Sequence, residues 1–162
     1  MAEITQFKGY TSPAPAIPKP DHPVDPVILT VQDGVPVTET YTLTANGSTL
    51  MAETHSGKEP AMITMFTVDG DHLIATHYCI AGNQPQMVTG VPDDLQKGVA
   101  FTLARVTGMK TPDDWHNTGV TISLDDANHM TQRWTYVYQG KTGTSVFHYT
   151  RKRSGPGQSP PS

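Results

Sequence analysis

A histidine and a thiol lie in one short segment of this sequence, where His77-Tyr78-Cys79 is followed by Gly82-Asn83-Gln84-Pro85. Alternate side chains of a strand share a face, so His77 and Cys79 project to the same side as Leu73 and Ala75. A histidine in an otherwise apolar cavity can donate or accept a proton near neutral pH. The same histidine can equally be structural, bonded to a neighbouring carboxylate or to the backbone.

Two glutamates are the candidate partners of His77 and, with it, the candidate catalytic residues. Glu39 alternates with Tyr41 on one strand face, and Glu53 alternates with Met51 on another. A glutamate–histidine pair inside a barrel is the minimal acid/base unit of an isomerase, a cyclase or a hydrolase. It is equally a buried structural pair, so both interpretations stay open at this point.

Further polar and aromatic side chains are candidate contacts for a bound molecule. Arg105 is predicted to share a face with Phe101 and Leu103, and Gln132 also lies on an apolar face, so both could bind an anionic or carbonyl-bearing ligand. A one-residue bulge would reverse such assignments. The candidate ligand-binding residues are Tyr78, Cys79, Asn83, Gln84, Arg105, His116, Gln132 and Trp134.

The seven histidines invite a metal or haem hypothesis. His116 could approach His77 and Cys79 to form a metal site, and a single histidine could hold haem in a barrel. However, no H-x-H, H-x-x-x-H or C-x-x-C spacing supports either site. We therefore expect no cofactor and assign no metal ligands, with haem or a divalent metal as the alternative.

Strands joined by short hairpins must position these residues. Asn46-Gly47 and Asp69-Gly70-Asp71 are hairpin signals between alternating segments, whereas 83–85 is predicted to be a loop. A meander of this size hides its edges by closing into a barrel, with a sandwich as the competing architecture. We predict an all-β, antiparallel, up-and-down β-barrel of about 8–10 strands. The predicted strands span 27–31, 35–44, 49–55, 62–68, 72–80, 98–106, 120–124, 130–138 and 144–151.

The ends of the chain differ in composition from its centre. Six prolines between positions 11 and 26 predict a proline-rich N-terminal arm over 1–26, because proline removes amide donors. The barrel domain is expected over 27–153, followed by a disordered tail over 154–162. The arm could also dock on a partner or on a second copy, which keeps a homodimer open.

Charge and hydropathy argue against several classes of partner. The formal net charge is -4 and no lysine-rich stripe is present, which argues against a nucleic-acid partner. No apolar run approaches the roughly 18 to 20 residues that cross a bilayer, so no membrane partner is expected. One cysteine and the lack of a visible signal peptide favour the cytoplasm, or a secreted protein if a signal was removed.

The segment from Asp69 to Met87 resembles the hallmark of an uncharacterised bacterial family. Its D-G-D hairpin precedes the motif T-H-Y-C-x-x-G-N-Q-P-x-M, which begins at Thr76. The resemblance covers roughly residues 34–151 and extends to Trp134, although no G-x-W stands at the first strand. It implies a lipocalin-like, calycin-type barrel and carries no activity with it.

These observations lead to one preferred function and three alternatives. The preferred function is non-catalytic binding of a small apolar or carbonyl-bearing molecule in the barrel lumen. The alternatives are a cavity enzyme with a His–Glu acid/base pair, a haem-binding or metal-binding protein, and a structural or interaction protein.

Overall fold

The computed structural model describes the backbone of residues 27–30 and, in full, residues 36–90 and 97–151. Ten antiparallel strands in this part form a closed barrel, in which each strand pairs with its neighbours along the chain and the first also pairs with the last. The predicted up-and-down barrel is thereby confirmed, and a sandwich is not formed. The strands are β1 (Val27–Thr30), β2 (Val37–Thr44), β3 (Thr49–Ser56), β4 (Met62–Asp69), β5 (His72–Tyr78), β6 (Gln84–Gly90), β7 (Val99–Thr107), β8 (His116–Leu124), β9 (His129–Tyr138) and β10 (Lys141–Arg151).

The predicted N-terminal arm, 1–26, and the predicted tail, 154–162, lie outside the described residues. The described part of the predicted barrel domain does fold as one barrel.

Two predicted hairpins occur where the backbone needs a positive φ. Asn46 (φ 57°) and Gly47 (φ 84°) join β2 to β3, and Gly70 (φ 60°) joins β4 to β5. Asparagine and glycine tolerate this left-handed conformation better than other residues. These short turns fix the register of the hairpins, and with it the side chains that enter the lumen.

Strand β6 was not predicted, because Pro85 and the glycine before it suggested a loop. In the structure β6 alternates strictly, with buried Pro85 and Met87 inside the barrel and Gln84 and Gln86 outside. The proline is the second residue of its strand, a position where the missing amide costs little.

Two strand starts also differ from the prediction. β8 begins at His116 rather than at position 120, and β10 begins at Lys141 rather than at 144. The last hairpin therefore turns at Gln139 and Gly140, which both have positive φ. Gly143 lies inside β10, where the ring of Tyr136 occupies the space that a Cβ would need.

The barrel interior is packed at one end and at its centre. Ala75, Met87, Val99, Phe101 and Val120 form the main buried cluster, against which Trp134 also packs. At the end that carries the β5–β6 turn, Tyr136 packs on Trp115 with ring centroids 5.5 Å apart. This end is called the packed end below, and the end that carries the β2–β3 turn is called the open end.

Candidate functional site

His77 projects into the lumen, as its alternation with Ala75 predicts, and it lies opposite Thr64 of β4. Its Nδ1 lies 2.9 Å from the hydroxyl oxygen of Thr64, and its ring packs on Trp134 with centroids 5.0 Å apart. Burial lowers the pKa of His77 to about 4, because the charged imidazolium loses its hydration. The imidazole is therefore neutral at physiological pH, bonded to a hydroxyl and packed against an indole with its ring plane tilted by 51°.

Glu39 is the centre of a second buried group in the lumen. One carboxylate oxygen accepts from the hydroxyl of Tyr149 (2.6 Å) and from that of Thr54 (3.4 Å). The other oxygen accepts from the side-chain amide of Gln132 (2.8 Å). A buried carboxylate is tolerated because three donors from three different strands replace its water.

Gln132 connects this carboxylate to two aromatic residues. Its Nε2 also donates to the hydroxyl of Tyr41 (2.9 Å), and its Oε1 accepts from Nε1 of Trp134 (2.8 Å). Burial, and next the negative charge of Glu39, raise the pKa values of Tyr41 and Tyr149 well above the usual value. The buried polar cluster is defined here as Glu39, Tyr41, Gln132, Trp134 and Tyr149.

The structure does not pair His77 with a glutamate. Within the described residues, Thr64 is its hydrogen-bond partner. Its ring packs on Trp134, and Trp134 is hydrogen-bonded to Gln132, which in turn donates to Glu39. Glu53 lies on the outer face of β3, where its carboxylate contacts His55 at 2.5 Å. The predicted acid/base pair is therefore not formed by either glutamate.

The prediction that Arg105 shares a face with Phe101 and Leu103 is wrong. A register shift in the β6–β7 pairing places Leu103 opposite Met87 but Arg105 opposite Gln86. Arg105 therefore lies on the outer face, where its Nε donates to Oε1 of Gln86 (3.0 Å). This is the single-residue irregularity that reverses a face assignment.

Three other candidate ligand contacts also lie outside the lumen. Tyr78 is 49% exposed on the outer face of β5. Gln84 is tied to the outer rim by hydrogen bonds to Gly82 and Thr107. His116 precedes the buried, lumen-facing Asn117, and it contacts the carbonyl of Asp114 instead of approaching His77.

Cys79 and Asn83 are buried at the packed end. Cys79 N–H donates to the carbonyl of Asn83 (3.1 Å), and the Asn83 amide donates to the carbonyl of Trp115 (2.6 Å). Burial raises the pKa of the Cys79 thiol, which opposes formation of the nucleophilic thiolate. Oδ1 of Asn83 is buried without a hydrogen-bond partner in the described part of the chain. These contacts join the β5–β6 turn to the β7–β8 connection.

The proposed metal site at His77, Cys79 and His116 is not assembled, because His116 faces outward. Across residues 36–90 and 97–151, no group of three His, Cys, Asp or Glu side chains is placed to hold a metal ion. In the same residues, no helix is long and apolar enough to span a bilayer.

A cavity of about 670 Å³ lies at the open end of the barrel, away from His77. Its walls are almost entirely apolar, and the hydroxyl-bearing ring of Tyr41 lies at its inner end, where the buried polar cluster begins. Met130 and the turn residues Asp126 to His129 also line the cavity. The main wall residues are Leu43, Leu50, Phe66, Leu73, Phe101 and Ile122.

Exposed apolar side chains surround the mouth of this cavity. Leu43 is 37% exposed, Val68 is 67% exposed and Leu124 is 43% exposed, and all three line the cavity. Sequence reasoning did not select these residues as site residues, because an apolar position at the end of an alternating strand looks like ordinary core. The available signal was their placement beside the Asn46-Gly47, Asp69-Gly70 and Asp125–Asn128 turns.

No protein-family model, no curated protein and no solved structure matches this chain.

Proposed function

We propose that the protein binds a small, largely apolar molecule in the open end of its barrel, without changing it chemically. The observation that carries this proposal is the cavity of about 670 Å³, which is apolar along its walls and accessible at its mouth. Ligand pockets in proteins commonly measure about 300–1,000 Å³ and have apolar walls with few polar groups.

The exposed mouth supports the same proposal. Leu43, Val68 and Leu124 leave apolar surface in water, where burial would contribute about 25 cal/mol for each Å². Contiguous exposed apolar surface commonly marks a binding site. A ligand that enters between these side chains would cover them and the walls below. A purely structural barrel is expected to fill its lumen instead, so the cavity favours ligand binding over the interaction-protein alternative.

The geometry gives no comparable support to the enzyme alternative. A general acid or base must reach the group with which it exchanges a proton. His77 is absent from the cavity lining, and its pKa of about 4 reflects an enclosed neutral ring. Among the histidines in residues 36–90 and 97–151, His129 is the only one in the lining, so haem ligation by His77 would also require a different arrangement.

The family of the protein and its cellular location are also part of the proposal. We propose that the chain belongs to the bacterial lipocalin-like, calycin-type family that its T-H-Y-C-x-x-G-N-Q-P-x-M motif resembles. The closed up-and-down topology supports this assignment. The free and buried Cys79 supports location in the cytoplasm, where thiols stay reduced.

A pair of adjacent substitutions tests whether the lumen is the binding site. Leu50 points into the cavity, whereas Met51 is the next residue on β3 and faces outward opposite Met65. Leu50→Trp is expected to fill part of the cavity and to weaken binding of the neutral dye Nile red at least about fivefold, since several apolar contacts with the dye are lost. Met51→Trp is the matched control and should bind the dye as the unsubstituted protein does.

The two variants should unfold at similar temperatures, which separates loss of the cavity from loss of the fold. Equal dye binding by both variants, or no dye binding by the unsubstituted protein, would contradict binding in the lumen.

A further inference from the structure

The polar groups at the inner end of the cavity specify what kind of ligand atom belongs there. Tyr41 lines the cavity and is also a member of the buried polar cluster, so it joins the apolar space to the network beneath. Its hydroxyl can donate one hydrogen bond and can accept others. Which of these capacities is in use follows from the partners of Gln132.

The amide of Gln132 has only one orientation that satisfies its neighbours. Its Oε1 accepts from Nε1 of Trp134, which can only donate, so Nε2 must face the other way. Nε2 then donates one hydrogen to Glu39 and the other to the oxygen of Tyr41. Tyr41 is therefore an acceptor toward Gln132, and its own proton points to a different partner.

The partner of that proton in the structure is a weak one. The hydroxyl of Tyr41 donates to Sδ of Met130 at 3.8 Å, and a thioether sulfur is a poor acceptor. The carboxylate of Glu39 is close enough for its hydrogen bonding to contribute to the raised pKa of Tyr41, but it already accepts from Tyr149, Gln132 and Thr54. Burial and the charge of Glu39 raise the pKa of Tyr41, so the phenol keeps its proton. A phenol donor is thus held at the end of an apolar cavity, where the acceptors near it are the sulfur of Met130 and a carboxylate that already has three other donors.

We propose that Tyr41 donates this hydrogen bond to an uncharged carbonyl oxygen at the buried end of an elongated apolar ligand. The inference rests on the proposed function and names the chemical class of its ligand. A carbonyl oxygen is a better acceptor than the sulfur of Met130, which also lines the cavity and can move aside. The remainder of the ligand lies against Leu50, Phe66 and Leu73.

The charges around the cavity select a neutral ligand head over a carboxylate. Glu39 lies directly behind Tyr41, so a carboxylate at the same place would meet a like charge in a poorly hydrated site. The basic side chains of the lining, His129 and Arg151, stand at the strand ends beside the mouth. An acid with the same chain length is therefore expected to avoid the inner end, or to bind with its carboxylate outward.

Three compounds with eleven carbons test the assignment: methyl nonyl ketone, undecane and undecanoic acid. Isothermal titration of each compound into the full chain at neutral pH gives three affinities for the unsubstituted protein and for Tyr41→Phe. Tyr136→Phe is the matched control, because Tyr136 is a lumenal tyrosine at the packed end and does not line the cavity. The affinity ratio of ketone to alkane is the deciding quantity, because a general change in stability cancels in it.

The ketone should bind the unsubstituted protein about three- to tenfold more tightly than the alkane, as one net hydrogen bond implies. Tyr41→Phe should abolish that preference and leave the affinities for undecane and undecanoic acid unchanged. Tyr136→Phe should retain the preference. Binding of the ketone should also change the fluorescence of Trp134, whose indole N–H is bonded to Gln132.

The experiment distinguishes an error in the role of Tyr41 from an error in the proposed function. If the protein binds the alkane and the ketone equally, or if Tyr41→Phe keeps the preference, the role of Tyr41 is overturned while lumenal binding stands. An equal loss of acid and ketone affinity in Tyr41→Phe would overturn the selection of a neutral head. If none of the three compounds binds, the proposed function and the inference built on it both fail.

Discussion

The same strands pack tightly at one end of the barrel and enclose a cavity at the other end. Strand β2 shows the contrast within four alternate positions, since Val37 and Glu39 are 4% and 3% exposed whereas Leu43 is 37% exposed. At the packed end, side chains from facing strands meet and satisfy one another. At the open end, the corresponding side chains stand apart and enclose space. Tyr41 lies at the boundary and belongs to both regions.

The buried polar residues are therefore not spread through the lumen but are grouped below the cavity. Glu39 and Gln132 are fully enclosed by protein partners, while the cavity wall is mostly apolar and its ionisable side chains, such as His129 and Arg151, stand beside the mouth. A packed lower half can hold the strands in register while the upper half stays unfilled. The proposed binding would rely on apolar surface that has no protein neighbours, and leaving that surface unfilled costs stability.

The strongest test of the comparison is Gln132→Leu. The substitution removes a donor from Glu39 and from Tyr41, and an acceptor from Trp134, in a site that water does not reach. We expect the free energy of unfolding to fall by about 3 to 5 kcal/mol, as when one partner of a buried charged group is lost. Urea unfolding monitored by tryptophan fluorescence measures the change.

Gln86→Leu is the control for this experiment. Gln86 faces outward, and its partners, Thr76 and Arg105, remain accessible to water. Its loss should cost less than about 1 kcal/mol. If the two variants were equally stable, the buried polar cluster would not be what holds the packed end together.

A second test compares apolar truncations in the two halves. Met87 is fully buried in the main cluster, so Met87→Ala should lower the free energy of unfolding by about 3 kcal/mol through lost contacts and a new void. Leu43→Ala at the mouth should cost less than about 1 kcal/mol, because Leu43 has few neighbours to lose. Chemical denaturation of both variants checks the prediction. If both substitutions lowered the free energy of unfolding equally, the two halves would not differ in packing.

The alternation of side chains predicted most of the fold, because hairpin turns and period-two patterns are local properties. The Asn46-Gly47 turn and the alternation of side chains along β2 follow directly from neighbouring residues. β6 was missed, since Pro85 usually marks a loop and only its buried position in the barrel explains the strand. The inward face was set by pairing across the whole barrel, which no single segment reveals.

The candidate site was predicted less well, for the same physical reason. Glu39, Gln132 and His77 were selected correctly as lumenal, but their partners depend on the order of strands around the barrel. Arg105 was placed on the wrong face by one bulge. A ligand-sized lumen was expected, but the position of the cavity and its wall residues were not predicted, because space between side chains depends on packing and not on residue type.

A third test uses the titration of His77 to probe the packed end. Its folded pKa of about 4 lies below the usual 6.5, so the unfolded chain binds more protons between these values. The contribution of His77 to stability is therefore complete above pH 6.5 and is lost as pH falls toward 4. The expected loss is about 2 to 3 kcal/mol, measured by unfolding at a series of pH values.

His77→Gln separates this effect from the other titrating groups. Glutamine retains a polar atom for Thr64 but does not ionise, so the variant should lose most of the pH dependence between 6.5 and 4. Asp114 and Asp126 have pKa values lowered by hydrogen bonds, and the stability they contribute is lost only as pH falls below about their usual 3.8. If the free energy of unfolding of the variant and of the unsubstituted protein changed with pH in the same way, His77 would not be the buried, neutral group of the packed end.

The smallest expected effect concerns the mouth of the cavity. Val68→Ser should leave the free energy of unfolding within about 0.5 kcal/mol, because the side chain is 67% exposed. It should weaken binding of Nile red about twofold, since the ligand loses part of an apolar contact. Ile80→Ser is the matched control, because Ile80 is 51% exposed near the β5–β6 turn at the packed end. Weaker binding in Ile80→Ser, or unchanged binding in Val68→Ser, would show that the ligand does not enter between the exposed apolar residues of the open end.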